Sequence, residues 1–320
     1  MSASRHVPPR TAIIVGTHNY AAILRQCLDS VLAQTDPSWE CIVVDNGSTD
    51  GTPVVAEFLV ARDARFRLVQ CANRGPSAGR NAGYARISAS VEYVHFLDGD
   101  DVLEPGFIEH LREYLDRHVS VGAVGCNYVE IDSHGGHLRH HVRSRWAPRW
   151  LGFPGRIPSS QPATPFETFF AVTGNGPFFL FRRSVLARTD LYDESLWFCE
   201  DSDILCRVAL LASVHFMPEF LYRKRTHSEN ISRRTPAGRE EQFRAKWDDA
   251  RGHAPHTRAR IESAVQYYYR RHVPLRDVKV AMKSLRSFVL TAKPARLVFA
   301  GQLLANAVRG LAGRTLPRHP

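Results

Sequence analysis

The stretch that decides the fold of this 320-residue chain is an apolar run closed by an acidic turn, Tyr93-Val94-His95-Phe96-Leu97-Asp98-Gly99-Asp100-Asp101. Three carboxylates within four residues repel one another unless a cation offsets their charge. Oxygen ligands from one turn suit Mg²⁺ or Mn²⁺ shared with a phosphate group. The alternative is a solvated turn that caps a helix near Glu104. The position directly after an apolar strand favours the ligand site.

Three more apolar runs precede this one, and a helical pattern follows each of the four. The runs are 12–15, 41–44, 67–70 and 93–97, and the helical patterns cover 24–31 and 52–61, begin near Ser77, and span 105–117. This alternation predicts an α/β fold with a doubly wound, mostly parallel sheet. Such sheets bind ligands beyond the carboxyl ends of their strands, so the strand ends hold the candidate site residues.

Polar residues also stand at the first two strand ends. The first strand ends in Gly16-Thr17-His18-Asn19, and the second in Asp45-Asn46-Gly47-Ser48-Thr49-Asp50-Gly51. Ser48 and Asp50 suit the N-cap of the following helix, whereas Asp45 comes too early to cap it. We therefore expect Asp45 to face a ligand.

The pattern changes after Val121. Strands are predicted over 121–131, 175–181 and 214–222, a helix over 201–211, and a long loop over 132–165, which is rich in Gly, Pro, His and Arg. Four histidines of this loop have metal-like spacing, namely His134, His137, His140 and His141. No pair of carboxylates anchors them, so a metal site is disfavoured.

The net charge of +10 is unevenly distributed. Residues 223–320 hold 22 Lys and Arg and 7 Asp and Glu, whereas residues 1–222 hold 20 and 25. Such a basic tail predicts an anionic partner, with a solvated helical surface as the alternative. Within 263–320, two amphipathic patterns carry 11 Lys and Arg against one acidic residue, Asp277. Amphipathic cationic patterns favour an anionic membrane surface over nucleic acid, for which no helix-turn-helix or zinc signature is present.

The six cysteines form no CxxC pair and no zinc spacing. Cys41, Cys71 and Cys126 lie in or beside apolar runs and are predicted to be buried reduced thiols. The start of the chain does not match a signal peptide, and no apolar run is long enough to span a bilayer. We therefore expect a cytoplasmic location, with peripheral binding to the inner face of the plasma membrane as an option.

Several enzyme classes fit poorly. Gly75-Pro76-Ser77-Ala78-Gly79 matches a G-x-S-x-G nucleophile elbow, but Ser77 is separated from its strand, and the Gly-rich segment 134–136 follows it instead of preceding it. No G-x-G-x-x-G follows the first strand, and no phosphate-binding G-x-x-x-x-G-K-[ST] loop is present. A serine hydrolase and a dinucleotide-binding dehydrogenase are therefore disfavoured.

Five ordered segments resemble the motifs of family 2 glycosyltransferases, which have the GT-A fold. They are Ile13-Ile14-Val15-Gly16-Thr17-His18-Asn19, the 43–52 segment with Asp45, the Asn73–Asn81 segment before the acidic turn together with Asp98-Gly99-Asp100-Asp101, Phe198-Cys199-Glu200-Asp201 with Asp203 and Arg207, and Tyr222-Arg223 with His227 and Ser232. The resemblance covers roughly residues 10–235. Gly16 stands where the family usually has Pro, and Asn46 where a second Asp is common.

The resemblance implies an inverting, metal-dependent glycosyltransferase. Its donor would be a nucleoside diphosphate sugar, with UDP favoured, and its acceptor a saccharide or a lipid-linked sugar in surface polysaccharide or glycolipid synthesis. Residues 1–232 would form the GT-A domain, with the donor part at 10–120 and the acceptor part at 121–232. Residues 233–320 would form a basic helical extension.

Roles carry over to individual residues. The implied donor-binding residues are Thr17 and Asp45 for the nucleoside, Arg80 near the diphosphate, and Asp98 with Gly99 at the ribose. The implied ligands of Mn²⁺ or Mg²⁺ are Asp100, Asp101 and His227. Asp201 would be the catalytic base, and Glu200 the alternative base or an acceptor-binding residue. From the residues alone, Glu200 and Asp201 also fit a helix N-cap, and His227 an exposed side chain.

The acceptor pocket is expected near 132–165 and Thr173-Gly174-Asn175-Gly176. Its candidate aromatic residues for stacking on sugar rings are Trp146, Trp150, Phe153 and Trp197. Packing within a loop or core remains the alternative for these four.

Three rivals remain. A sugar-nucleotide nucleotidyltransferase shares a similar sheet but carries a Gly-rich basic loop after its first strand, which is missing here. A nucleic-acid-binding protein would use the basic tail. A catalytically dead sugar binder would lack some of the motif carboxylates, all of which are present.

Overall fold

The computed structural model describes residues 8–141, 178–194, 200–228 and 230, which form one mixed sheet flanked by helices. The strands are β1 Thr11–Thr17, β2 Trp39–Asn46, β3 Phe66–Cys71, β4 Tyr93–Asp98, β5 Val102–Leu103, β6 Val121–Ile131, β7 His137–His141, β8 Phe179–Arg182 and β9 Ser213–Arg225. The helices are α1 Leu24–Leu32, α2 Thr52–Val60, α3 Pro76–Tyr84, α4 Phe107–Arg117, α5 Arg183–Leu186 and α6 Glu200–Leu211.

The strand order places the candidate site at one edge of the sheet. The order is β3-β2-β1-β4-β8-β6-β9-β5, and β7 pairs with β6. β1 pairs in parallel with β2 and β4, and β2 with β3, which confirms the predicted parallel core. β8 is antiparallel to both β4 and β6, so β6 and its parallel neighbour β9 run in the direction of β4. The carboxyl ends of β1, β2, β4, β6 and β9 therefore lie at the same edge.

Both faces of the sheet are buried, because successive side chains of a strand point to opposite faces. Ile13 and Val15 of β1 belong to a core cluster with apolar residues of α1, α2 and α4. Ala12 and Ile14 belong to a second cluster with apolar residues of α5 and α6. Burial on two faces explains why the central strands are continuous apolar runs in the sequence.

The segment predicted as a loop over 132–165 begins with a β-hairpin. β7 pairs antiparallel with the C-terminal end of β6, from Tyr128 opposite His141 to Ile131 opposite His137. The turn is closed by Asp132, whose Oδ1 accepts the backbone N–H groups of His134 and Gly136, both at 2.8 Å. The loop prediction was wrong for 137–141, because a strand of His and Arg on an exposed edge lacks the apolar alternation that identifies strands.

The remaining predicted strands and helix caps agree with the sequence prediction only in part. β6 has the predicted bounds, β9 extends past 214–222 at both ends, and β8 overlaps the predicted 175–181 strand at 179–181. Asp50 Oδ1 accepts the N–H of Thr52 at the start of α2, as a cap would, but Ser48 does not cap it. Ser48 Oγ instead accepts the backbone N–H of Asn19 and joins the first two strand-end loops.

Cys41 and Cys126 are buried thiols, as predicted, whereas Cys71 is only half-buried because β3 is an edge strand. None of the described helices is long and apolar enough to cross a membrane. Some predictions lie outside the described residues, namely the aromatic residues Trp146, Trp150, Phe153 and Trp197, the segment 173–176, and the basic extension 233–320.

Candidate active site

The acidic turn after β4, defined here as Asp98, Asp100 and Asp101, forms a compact cluster. One oxygen of each carboxylate lies within 4.8 Å of the other two, and no other group of three such side chains in the described residues has this geometry. Asp100 and Asp101 are buried, with 6% and 2% of their surface exposed. Asp98 is more exposed, with 38% of its side chain accessible. Three close carboxylates, two of them buried, fit a hard divalent cation, whose positive charge offsets their repulsion.

Asp101 anchors the turn to β9. Its Oδ2 accepts the hydroxyl of Tyr222 at 2.6 Å, and its Oδ1 accepts the backbone N–H of Arg225 at 2.7 Å. Burial raises the pKa of Asp101 well above its usual value, and the charges of Asp100 and Asp98 raise it further. Because both oxygens accept a hydrogen bond, Asp101 is less available to a cation than its neighbour Asp100.

Asp100 meets two side chains from the end of β9. Its Oδ2 lies 3.0 Å from Nε2 of His227 and accepts the amide of Asn230, also at 3.0 Å. The Asn230 Oδ1 in turn accepts the backbone N–H of His227 at 2.5 Å. The structure thus brings His227 to the acidic turn across 127 residues of sequence, and adds Asn230, which no motif had indicated.

Arg225 holds the backbone of this region together. It is 1% exposed, and its Nε donates to the carbonyl of Asp100 at 2.8 Å. Its two terminal nitrogens donate to Gln26 Oε1 and to the carbonyls of Asp132 and Ser133. Sequence reasoning missed this residue, because an arginine in a basic stretch carries no signal of burial.

Arg80 connects the acidic turn to the start of α6. Its side chain is 6% exposed, with Nη2 donating to Asp98 Oδ1 and Nη1 to Glu200 Oε1, each at 2.8 Å. The same Nη2 lies 3.8 Å from Asp201 Oδ1. Burial alone would lower the pKa of Arg80, but the charges of Asp201, Asp98 and Glu200 outweigh it and raise that pKa well above its usual value.

Helix α3 carries Arg80 to this position by packing closely on the sheet. A Cβ atom at Gly83, one turn further along α3, would lie only 2.4 Å from Cγ2 of Ile14 in β1. Only glycine therefore allows this approach. The serine of the G-x-S-x-G segment, Ser77, is completely buried in the first turn of α3, which excludes it as an exposed nucleophile.

Glu200 and Asp201, defined here as the carboxylate pair, are nearly buried, with 13% and 15% of their side chains exposed. Burial raises the pKa of Glu200 to about 7, with a further contribution from the Asp201 charge, although Arg80 opposes both. Burial also raises the pKa of Asp201, against the opposing charge of Arg80. Both carboxyls therefore take up a proton at a higher pH than ordinary acidic side chains, which suits a general base near neutral pH.

The residues predicted for the nucleoside lie beside the acidic turn. Asp45 is 4% exposed at the end of β2, and its Oδ1 accepts the N–H of Ser48 at 3.1 Å. The hydroxyl of Thr17, at the end of β1, is buried and meets no hydrogen-bond partner in the described residues. Gly99 fits closely against β1, since a Cβ there would lie 3.0 Å from both Gly16 O and Thr17 Cβ. The predicted donor residues thus converge on one edge of the sheet.

The histidines of the β6–β7 hairpin do not form one cluster. His137 Nε2 lies 3.1 Å from His140 Nδ1, whereas His141 Nε2 lies 2.8 Å from Glu130 Oε2. Glu130 also accepts hydrogen bonds from Arg139 and Thr226. Burial alone would raise the pKa of Glu130, but the hydrogen bonds outweigh this effect and lower that pKa to about 2. His141 therefore contacts Glu130 and not the other histidines of the hairpin.

Comparison with known sequences identifies relatives that are named as glycosyltransferases or as a teichoic acid biosynthesis protein. A sequence profile of glycosyl transferase family 2 matches residues 12–189, which is more than half of the chain. Bacillus subtilis (strain 168) EpsJ, described as an uncharacterized glycosyltransferase, is 30% identical over 227 residues, which are 70% of this chain and 63% of EpsJ. The B. subtilis minor teichoic acid biosynthesis protein GgaA is 27% identical over 230 residues, which are 69% of this chain and 48% of GgaA. The chain therefore spans less than two thirds of the length of these relatives.

Solved structures show the same fold at low sequence identity. S. aureus TarS 1–349 in complex with UDP-GlcNAc has a TM-score of 0.59 and 17% identity, over 94% of this chain and 89% of TarS 1–349. The mannosyltransferase PcManGT from Pyrobaculum calidifontis, in complex with GDP-Man and Mn²⁺, has a TM-score of 0.54 and 20% identity, over 96% and 88% of the two chains.

Proposed function

The chain belongs to glycosyl transferase family 2, and from this membership we propose that it transfers a sugar from a nucleoside diphosphate donor to an acceptor hydroxyl with inversion at the anomeric carbon. The chain is a glycosyltransferase with a GT-A-like mixed α/β fold, as the sequence predicted. This membership disfavours the nucleotidyltransferase and nucleic-acid-binding alternatives. The choice of donor, the metal and the roles of individual residues are the content of the proposal.

The observation that supports the proposal is the convergence of the acidic turn and the carboxylate pair on Arg80. Asp98 and Glu200 each lie 2.8 Å from its guanidinium, although about a hundred residues separate them in the sequence. Transfer to a hydroxyl needs a group that stabilises the leaving diphosphate and a base close to the attacking oxygen. The two sets of carboxylates are close enough to act on one bound donor.

The donor would lie along the ends of β1, β2 and β4. Asp45 would accept the N3–H of uracil, which favours UDP, and Thr17 would contribute its unpaired hydroxyl to the nucleoside. Asp98 and Gly99 would face the ribose. Arg80 would act near the diphosphate by balancing Asp98, since its own charge is already shared among carboxylates. The two solved structures compared above hold UDP-GlcNAc and GDP-Man, so the preference for UDP is a prediction about this chain.

The acidic turn and His227 would hold Mn²⁺ or Mg²⁺. Asp100 and His227 offer the best-placed ligand atoms, Asp101 contributes charge and anchors the turn, and Asp98 completes the acidic surface. When bound there, a divalent cation offsets the negative charge that develops on the leaving diphosphate. The other roles in the proposed reaction are assigned to side chains of the protein.

Asp201 would be the catalytic base. The acceptor oxygen forms a bond to the anomeric carbon while the bond from that carbon to the diphosphate oxygen breaks, and Asp201 takes the hydroxyl proton. Attack opposite the leaving group inverts the anomeric configuration. Glu200, bound to Arg80 and with a pKa of about 7, would be the alternative base or would bind the acceptor.

The acceptor would be a saccharide or a lipid-linked sugar of a surface polysaccharide or glycolipid. The relationship to GgaA, named for minor teichoic acid biosynthesis, supports this class of product. The basic segment 263–320 would bind the anionic inner face of the plasma membrane, where a lipid-linked acceptor resides. Sedimentation with anionic vesicles at low salt tests this binding, and a protein that stays in the supernatant would contradict it.

The function is tested with a panel of UDP-, GDP- and TDP-sugars scored by nucleotide release, each with and without EDTA. We expect release to be fastest from a UDP-sugar and to stop with EDTA. Addition of Mn²⁺ in excess should restore it. A clear preference for GDP-sugars would overturn the role of Asp45, and full turnover in EDTA would overturn the metal site.

A further inference from the structure

Tyr192 contacts the candidate base and belongs to none of the motifs. Its side chain is 2% exposed, and its hydroxyl donates to Asp201 Oδ1 at 3.1 Å. We propose that Tyr192 is a positioning residue that fixes the orientation of the Asp201 carboxylate and leaves Oδ2 to receive the acceptor proton. This inference rests on the proposed function, in which Asp201 is the base.

The two described contacts of Asp201 with neighbouring polar groups are both made through Oδ1. Tyr192 donates to that oxygen, and Nη2 of Arg80 lies 3.8 Å from the same atom. A carboxylate held through one oxygen cannot rotate freely, so its second oxygen keeps one direction. A base held within a fraction of an ångström of its productive position is more effective than a mobile one.

Tyr192 is itself held by α3 and β4. Its backbone N–H donates to Asn81 Oδ1 at 3.1 Å, and its carbonyl accepts the Asn81 amide at 2.8 Å. Its ring packs edge-on against Phe96, with centroids 4.9 Å apart, and the guanidinium of Arg80 lies 5.1 Å from the ring centroid. The hydroxyl is therefore presented to Asp201 from a rigid support.

The electrostatics favour Tyr192 as a permanent hydrogen-bond donor. Burial raises the pKa of Tyr192 well above its usual value, and the charge of Asp201 raises it further, so the phenol keeps its proton. Around Asp201, burial and the charge of Asp98 raise the carboxyl pKa, whereas Arg80, the Tyr192 hydroxyl and Lys224 lower it. The remaining acidic neighbour, Glu200, is adjacent in sequence. Loss of the hydroxyl should therefore move the protonation of Asp201 to higher pH.

The decisive variant is Tyr192→Phe, which keeps the ring packing and removes only the hydroxyl. We expect kcat at the pH optimum to fall roughly tenfold, as for the loss of one well-aligned hydrogen bond to a reacting carboxylate. The acid limb of the pH–rate profile should move to higher pH, and the KM for the donor should stay within twofold. Tyr114→Phe is the matched control, since its hydroxyl bonds to His215 Nδ1 at 2.7 Å. It should match wild type in all three measurements.

A double-mutant cycle separates this inference from the proposed function. If Tyr192 acts through Asp201, then Tyr192→Phe in an Asp201→Asn background should cause no further loss of kcat. Wild-type kcat and an unshifted acid limb in Tyr192→Phe, or a loss that multiplies with that of Asp201→Asn, would overturn the positioning role. Wild-type kcat in Asp201→Asn alone would instead overturn the assignment of the base.

Discussion

The acidic turn and the carboxylate pair are both groups of largely buried carboxylates, but their surroundings differ in charge. Asp100 and Asp101 meet a backbone N–H and the side chains of Tyr222, His227 and Asn230. The carboxylate pair faces the guanidinium of Arg80, which is a permanent positive charge. The donors from Tyr222, Asn230 and the backbone carry no charge, so a divalent cation at the acidic turn would supply a positive charge that these donors do not. The carboxylate pair has its countercharge built in.

This difference fits two tasks in one reaction. A site without its own positive charge can bind a cation together with a diphosphate. The cation then offsets part of the negative charge of the diphosphate. A site with an internal countercharge can hold a carboxylate base in place without competing for that cation. Asp98 belongs to both, since it lies in the acidic turn and bonds to Arg80 at 2.8 Å. The following predictions test the contrast in order of expected size.

Replacing the carboxylate nearest to His227 should have the largest effect. In Asp100→Asn, turnover should fall roughly 10³-fold, since the proposed cation at the leaving diphosphate would lose a ligand. Donor binding, measured by calorimetry, should no longer respond to Mn²⁺. Glu113→Gln, which alters a half-exposed carboxylate on α4 paired with Arg117, is the control and should behave as wild type. Turnover near the wild-type level in Asp100→Asn would contradict a role of the acidic turn in the reaction.

Removing the internal countercharge should chiefly affect stability. Arg80→Met leaves Asp98, Glu200 and Asp201 without their guanidinium, and breaking a buried ion pair costs about 3–5 kcal/mol of unfolding free energy. Chemical denaturation at pH 7 measures this loss, which should be smaller at pH 5, where the carboxyls are more readily protonated. Arg117→Met, whose side chain is 69% exposed, should cost under about 1 kcal/mol. Equal losses in the two variants would contradict the role of Arg80.

The raised pKa of Glu200 predicts a pH-dependent stability. The folded chain keeps the Glu200 proton up to about pH 7, whereas an unfolded glutamate loses it near 4.5. Relative to Glu200→Gln, the wild type should therefore lose stability as pH rises between these values, by up to about 1.4 kcal/mol per pH unit. Thermal or chemical unfolding of both proteins from pH 4.5 to 8 measures the difference. A difference that stays constant over this range would mean that Glu200 titrates normally.

The smallest effect is expected where the acidic turn meets β9. Tyr222→Phe removes the hydroxyl that donates to Asp101 Oδ2, and should lower the unfolding free energy by about 1–2 kcal/mol. The response of donor binding to Mn²⁺ should stay within twofold, since Asp101 anchors the turn. If the Mn²⁺ response were lost while stability stayed unchanged, Asp101 would be a ligand instead of an anchor.

The sequence was sufficient for the parallel half of the fold and for the position of most candidate site residues at the carboxyl ends of its strands. Apolar runs ending in Asp45 and Asp98 predicted strands whose carboxyl ends meet, because parallel strands with helical crossovers allow few other arrangements. The β7 strand and the partners of the acidic turn were not predictable in this way. A strand of histidines has no apolar alternation, and nothing near Asn230, Arg225 or Tyr192 in sequence indicates their contacts.

The sequence by itself determined the α/β class, the acidic turn and the order of the family motifs, because these depend on local periodicity and short spacings. Only the tertiary structure decided which carboxylates share a countercharge. Arg80 reaches Glu200 because glycine lets α3 pack closely on the sheet, and Asp100 meets His227 because β9 ends at the same edge as β4. Contacts between residues more than a hundred positions apart follow from packing and strand direction, which no local pattern in the chain records.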